Sequence, residues 1–458
     1  MIFNELGFVP FLAVVFALFL VLRGIWRTWL LLAASWFFYG VSGLEHLGVL
    51  VAGIVWVYLL ARHDALVGRT WLLVVTILGP ILALVYFKYS GFLVANVAPS
   101  AALADESFSL FSDVVLPAGI SFFTFQLISF AIDRYRGDIP TVPRFADFAL
   151  YISFFPQLVA GPILRFDQVR SPLQHLARFR PDADAVMAAL GYICFGLAVK
   201  VLVADSLDGF LTPLEAEPGR LAPDAAAYVV GAYSFQIYFD FYGYSLIAIG
   251  LGRLFGFDFP DNFRRPYSAA NPRAFWRRWH ITLSYWIRDY LYLPLGGNRS
   301  YVRNIAIVFA AAGLWHGAGW TFVIWGLYHA LLVIGYHLSA PVWDRLPMLL
   351  QQAVNFVLVS IGWLLFLFDW AELGAFASSI GAAFGGDTAE TLLSTSLPAW
   401  LMLALAATIC FGVRIERIVQ AFVRSTGAQF AYGGGLGLLL VASLMYFDRS
   451  QTFIYFRF

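Results

Sequence analysis

From Ile305 to Leu338 the chain carries no aspartate, glutamate, lysine or arginine, and the run is long enough for two helices. About 20 mainly apolar residues in helical form cross a bilayer core roughly 30 Å thick. Comparable apolar stretches recur near 8–22, 28–42, 47–61, 71–87, 116–132, 183–204, 226–252, 351–368, 398–413 and 434–447. The pattern predicts an all-α integral membrane protein with about 11–13 transmembrane or re-entrant helices. Composition agrees: 61% of the 458 residues are hydrophobic and 12% charged, against roughly 45–50% and about 25% in soluble domains. So few charges could not cover that much apolar surface in water. One further stretch, 146–163, is interrupted by Pro156 and Pro162 and reads as re-entrant. Irregular backbone survives at membrane depth only where protein or a watery cavity satisfies it.

Residues 1–458 read as a single polytopic membrane domain, with no soluble domain, low-complexity linker or internal repeat. The first apolar stretch follows Glu5 and precedes Arg23, the wrong charge order for a cleaved signal peptide, so it reads as an anchored span. Basic loops favour the cytoplasm. Arg23 and Arg27, then Arg62 and Arg69, alternate with Glu45 and with Asp105, Glu106 and Asp113, which puts the N-terminus on the outer face. The acidic stretches 205–224 and 372–390 then fall outside too, and the segment 253–303, rich in arginine, begins on the cytoplasmic side. A net charge of +1 without a long basic run gives no reason to expect nucleic acid. Cys194 and Cys410 are far apart in apolar stretches and read as inert buried thiols.

Two histidines stand out. Read as one helix, Pro272 to Tyr290 places Trp276, Trp279, His280, Leu283, Ile287 and Tyr290 on one face, with Arg277, Ser284 and Arg288 on a polar flank. An amphipathic interfacial helix fits that pattern. His280 is then either a site residue or a packed imidazole bonded to a backbone carbonyl. The second centre is Gly313-Leu314-Trp315-His316-Gly317-Ala318-Gly319-Trp320. An ionisable side chain inside an apolar span is costly and is a functional candidate by default. The small residues beside His316 would let a neighbouring helix or a substrate come close, and interhelical hydrogen bonding is the rival reading. On a continuous helix His329 would face away from His316, so His329 and His337 read as structural. His46, His63 and His175 fall in expected loops and read as solvated. The sequence has no HExxH pair, phosphate-binding loop, dinucleotide fingerprint or GxSxG elbow. A histidine base acting without a metal remains.

Several long segments together resemble the membrane-bound O-acyltransferase (MBOAT) family. They are LPAGISFFTFQLISFAIDRYRG at 116–137, YISFFPQLVAGPILRF at 151–166 and FQIYFDFYGYSLIAIGLGRLFGFDFPDNFRRPY at 235–267. FWRRWHITLSYWIRDYLYLPLGGNR at 275–299, GLWHGAGWTFVIWGLYH at 313–329 and the ending TFIYFRF complete the set. The branch most resembled is that of the alginate O-acetylation proteins, and more distantly that of the D-alanyl transfer proteins. Departures are small: Ala330 stands where the family has glycine, and the loop between Arg299 and Asn304 is short.

The resemblance implies a motif-bearing core at about 116–338, built around a central tunnel. It implies His316 as the principal catalytic histidine and His280 as its companion. Beside them Trp315 and Trp320 are candidate substrate contacts, and the oxyanion donors are their indole N–H groups, an arginine or backbone amides. It implies no tightly bound cofactor, and a cytoplasmic acyl donor such as acetyl-CoA or an acyl carrier. The expected acceptor is an exported polysaccharide, handled with a periplasmic or membrane-anchored acetylation partner in the inner membrane. D-alanyl transfer to a teichoic-acid-like polymer is the alternative within the class. A transporter or an export scaffold is the alternative outside it.

Overall fold

A computed structural model describes residues 3–97, 114–159, 161–385, 393–423, 429–447, 451 and 453–454. The acidic positions Asp105, Glu106 and Asp113 and most of the TFIYFRF ending lie outside the described residues. The described chain is helical, with one isolated β-bridge between Leu221 and Leu393. Five helices are long and apolar enough to cross a membrane: Leu44–Ala61, Thr70–Val97, Ala183–Glu215, Trp320–Trp343 and Met348–Leu367. A sixth span would combine Leu397–Gly412 with Ile415–Ala421, which meet at a 60° bend, and Phe8–Val21 and Gln429–Met445 are shorter apolar helices. The all-α membrane class expected from the apolar runs is what the chain adopts.

The helices form two compact units. The first comprises residues 1–193 with 247–260. Its broken stretch folds as the helix Phe145–Ser153 followed by the short helix Phe155–Leu158. Protein groups satisfy the irregular backbone there, as lipid exposure would not allow. The Phe155 amide donates to Ser35 Oγ at 3.1 Å and the Tyr151 hydroxyl to the Leu164 carbonyl at 3.0 Å. Gly119 starts the helix Ile120–Arg136 with φ 72°, and a Cβ there would lie 2.4 Å from the Leu158 carbonyl oxygen. At the far end of that helix Arg134 is buried. It pairs with Asp64 at 2.7 Å and donates to the carbonyls of Ile139 and Pro140, each at 3.0 Å. His63 and His175 are exposed as expected. His46 is not: it lies in the helix Leu44–Ala61 and is buried, because its helix carries it inward while Glu45 stays outside.

The second unit comprises residues 194–246 with 261–458. Its core holds an ion cluster that composition does not announce. The Lys200 ammonium lies 2.5 Å from Asp205 Oδ1 and 2.7 Å from Asp240 Oδ1, and all three side chains are buried. Lys200 also donates to the Gln451 carbonyl at 3.1 Å, and the Ile454 amide donates to Asp240 Oδ2 at 2.7 Å. Buried charges persist only when paired and hydrogen-bonded. Cys194 and Cys410 are free and buried.

Candidate active site

The long uncharged run folds as a hairpin of the helices Tyr301–His316 and Trp320–Trp343. Gly317 and Gly319 are both extended, and the chain reverses through them. The hairpin closes backbone against backbone. A Cβ on Gly313 would lie 2.1 Å from the Phe322 carbonyl oxygen, and one on Gly326 would lie 2.1 Å from that of Phe309. A Cβ on Gly317 would meet the Phe322 ring at 2.2 Å. The small residues around His316 therefore admit the partner helix. His316 is the last residue of its helix, 4% exposed. Its ring lies among those of Trp315 (centroids 4.8 Å apart), Trp325 (5.1 Å) and Phe366 (5.2 Å).

His280 reaches the same place by a different route. The single helix expected over 272–290 is broken: helices run over Pro272–Trp276 and Ile281–Ile287, and His280 sits between them with φ 44°. The cause is the segment around Asn262, which takes over hydrogen bonds that a continuous helix would make internally. The Ile281 amide donates to the Asn262 carbonyl at 2.9 Å, and the Arg264 amide donates to the Arg278 carbonyl at 2.9 Å. Asn262 Oδ1 accepts from the Thr282 amide at 3.3 Å and the Thr282 hydroxyl at 2.9 Å, and it lies 3.2 Å from His280 Nδ1. A backbone amide can only donate, so this oxygen is the acceptor and His280 Nδ1 carries the proton. The lone pair of a neutral His280 is then on Nε2. The segment lies outside the apolar spans, and burial pushes the His280 imidazole down to about 3.

The break turns His280 toward the hairpin. Its ring centroid is 6.4 Å from that of His316, 5.9 Å from Trp315 and 4.7 Å from Phe241. One face of the expected helix is thereby divided. Trp276, Leu283 and Ile287 line a cavity of about 650 Å³ that ends on His316, while Trp279 and His280 are packed inside. The expected polar flank of Arg277, Ser284 and Arg288 lines that same cavity. Arg273 and His337 join it, with Arg273 donating to His337 Nδ1 at 3.1 Å. The cavity wall thus carries guanidinium groups as well as the His316 imidazole and aromatic rings.

Comparison with known proteins places this architecture. Residues 138–368 match MBOAT, the membrane-bound O-acyltransferase family. The chain is 35% identical to "Probable alginate O-acetylase AlgI" of Pseudomonas putida, over 94% of its own length and 95% of the relative's. The chain belongs to the membrane-bound O-acyltransferase family. It is also 34% identical to "Peptidoglycan O-acetyltransferase" of Helicobacter pylori, over 74% of this chain and 70% of that one. Similarity to "Teichoic acid D-alanyltransferase" of Bacillus subtilis is narrower, 30% over 48% of this chain and 58% of the relative. An MBOAT protein is an acyltransferase, and acyl transfer is the activity of this chain's class.

Within the MBOAT chain, the sequence motifs that held His280 and His316 come together, and Trp315 packs against both rings. Trp320 does not join them. It is 54% exposed at the start of its helix and is not among the residues lining the cavity. The helix expected to carry both His316 and His329 is not continuous: it breaks at Gly317. His329 is fully buried, 4.9 Å from the ring of Trp325, which also packs against His316. Trp276 stands edge-on to His329 at 5.1 Å. Among the described residues neither ring nitrogen of His329 has a hydrogen-bond partner, nor do the indole nitrogens of Trp276 and Trp325. Sequence reasoning passed over Asn262 and Trp325. Nothing in residue type separates Trp325 from Trp320, and Asn262 matters only through a contact across the chain.

Proposed function

We propose that the chain O-acetylates an exported polysaccharide in the cell inner membrane, with His316 as the general base. The cavity carries this reading: His316 lines it together with Arg273, Arg277 and Arg288. Guanidinium groups suit the phosphates of a donor such as acetyl-CoA or a phosphopantetheine-bearing carrier protein, and the apolar remainder suits its acyl-thioester arm. The basic 253–303 segment faces the cytoplasm in this reading, with the N-terminus outside and the polymer arriving from the outer face.

His316 removes the proton from an acceptor hydroxyl while that oxygen bonds to the thioester carbonyl carbon. The carbon–sulfur bond then breaks and the thiolate leaves, taking up a proton. Negative charge on the carbonyl oxygen calls for donors in a dry site, and the indole N–H groups of Trp276 and Trp325 have no competing acceptor among the described residues. His280, fixed through Asn262, packs close to His316 and helps to orient it. A periplasmic or membrane-anchored partner presents or finishes the polymer. The name of the Pseudomonas putida relative favours acetyl over D-alanyl transfer, and its alignment spans nearly the whole chain.

Replacing His316 with Ala in cells, with membrane abundance checked, tests the base. Ester-linked acyl groups on the exported polymer should be lost, and unchanged acylation would overturn the assignment. Mild alkaline release from the wild-type polymer distinguishes the acyl group: acetate supports this reading, and D-alanine replaces it with the alternative.

A further inference from the structure

A second cavity in the residues 194–246 and 261–458 shares no lining residue with the one that ends on His316. It measures about 350 Å³ and is walled by the 261–265 segment, by Tyr238 and Tyr242, and by the chain around the bend after Gly412. Four arginines line it, Arg264, Arg265, Arg414 and Arg417, against two carboxylates, Asp261 and Glu416. Both carboxylates are engaged: Asp261 pairs with Arg264 at 3.1 Å, and Glu416 accepts from the Tyr242 hydroxyl at 2.6 Å. Among the described residues Arg265, Arg414 and Arg417 have no carboxylate partner. The cavity keeps an excess of positive charge.

Arg265 is held there deliberately. Its backbone is left-handed at φ 52°, a conformation that a non-glycine residue keeps only when its surroundings hold it. One guanidinium nitrogen donates to the carbonyl of Phe411, near the C-terminal end of the helix Leu397–Gly412. The Nε of the same group is buried with no acceptor among the described residues. A buried donor without an acceptor is expensive, and a ligand oxygen is the natural remedy. Beyond the bend the helix Ile415–Val423 buries Ile415 and Val419 and exposes Arg417 and Gln420, the division of an interfacial helix.

We propose that this second cavity binds a phosphate group, presented by an anionic lipid headgroup or as free phosphate, on Arg265, Arg414 and Arg417. Arginine forks match phosphate oxygens with paired N–H donors. Basic residues at a membrane surface attract anionic headgroups.

The test uses the full chain and a pair of substitutions at exposed positions, Arg414→Gln with Arg417→Gln. In native mass spectrometry from mixed micelles of phosphatidylglycerol and phosphatidylcholine, wild-type protein should retain phosphatidylglycerol preferentially, and the double variant should lose roughly tenfold of that preference. Arg178→Gln with Arg180→Gln, exposed arginines elsewhere, should keep it. In nanodiscs of phosphatidylcholine alone, inorganic phosphate is titrated against sodium chloride of equal ionic strength. A rise in thermal midpoint specific to phosphate and absent from the double variant assigns the site to free phosphate, whereas retention without that rise assigns it to the lipid. Equal behaviour of wild type and double variant in both arms would overturn the proposal.

Discussion

Asn262 Oδ1 holds the Nδ1 edge of His280 at 3.2 Å while accepting the amide and hydroxyl of Thr282. One carboxamide thereby fixes the orientation of the imidazole and its tautomer, beside main-chain bonds from Asn262 and Arg264 that break the helix. Asn262→Ala should lower the rate of acyl transfer by about 10–100-fold, the usual range for a partner that orients a site histidine. Membrane abundance should be retained. A normal rate in purified protein would reduce the contact to packing.

The pH behaviour of His280 follows from its burial. An unfolded histidine titrates near 6.5, and this one is pushed down to about 3. The unfolded chain therefore binds the extra proton first. The stability associated with neutral His280 is complete above about pH 6.5 and is lost as pH falls toward 3, at up to about 1.4 kcal/mol per pH unit. Thermal midpoints across that window should decline less steeply in His280→Phe than in wild type. Equal slopes would show that His280 titrates as it does in water.

Trp325 and Trp320 separate two roles that residue type cannot. Trp325→Phe keeps a ring against His316 and removes the indole N–H. If that donor meets the developing oxyanion, the turnover number should fall by about 10²–10³-fold with little change in KM. Trp320→Phe, at an exposed position, should be silent. Equal effects of the two substitutions would remove the N–H from the mechanism.

The hairpin contact predicts a steep dependence on one methyl group. Gly313→Ala places its Cβ against the Phe322 carbonyl, and overpacking of this kind costs about 1–3 kcal/mol. The resulting shift of His316 should reduce activity by roughly 100-fold, as for a misplacement of about 1 Å. Gly335→Ala lies in the facing helix with nothing within 4 Å of its Cβ and should leave activity unchanged.

Lys200→Met leaves Asp205 and Asp240 without their shared cation and should cost about 3–5 kcal/mol of stability. Adding Asp240→Asn should recover part of that loss. Thermal unfolding in detergent, followed by intrinsic fluorescence, distinguishes this from a neutral substitution.

The apolar runs made the membrane helices legible, and the small residues around His316 marked a place of close approach without showing the turn they make. The sequence could not show what those residues admit. Phe322 and Gly326 fill the space, and their approach depends on the hairpin closing. The break at His280 was illegible for a related reason: residues 272–290 carry a good helical pattern, and the bonds that interrupt it come from Asn262 and Arg264. Lys200 and Asp240 were readable as charges inside apolar stretches, a costly placement that implies partners. Their pairing required the fold.

The contact of Gly313 with the opposite helix has a consequence for how such a protein can change. Main-chain atoms set the spacing of this hairpin, and main-chain atoms have no rotamers to shuffle. Residues lining the cavity beside His316 can be exchanged for larger, smaller or differently charged ones while His316 stays where it is. The shape and charge of the cavity can drift around a histidine whose position the main chain sets.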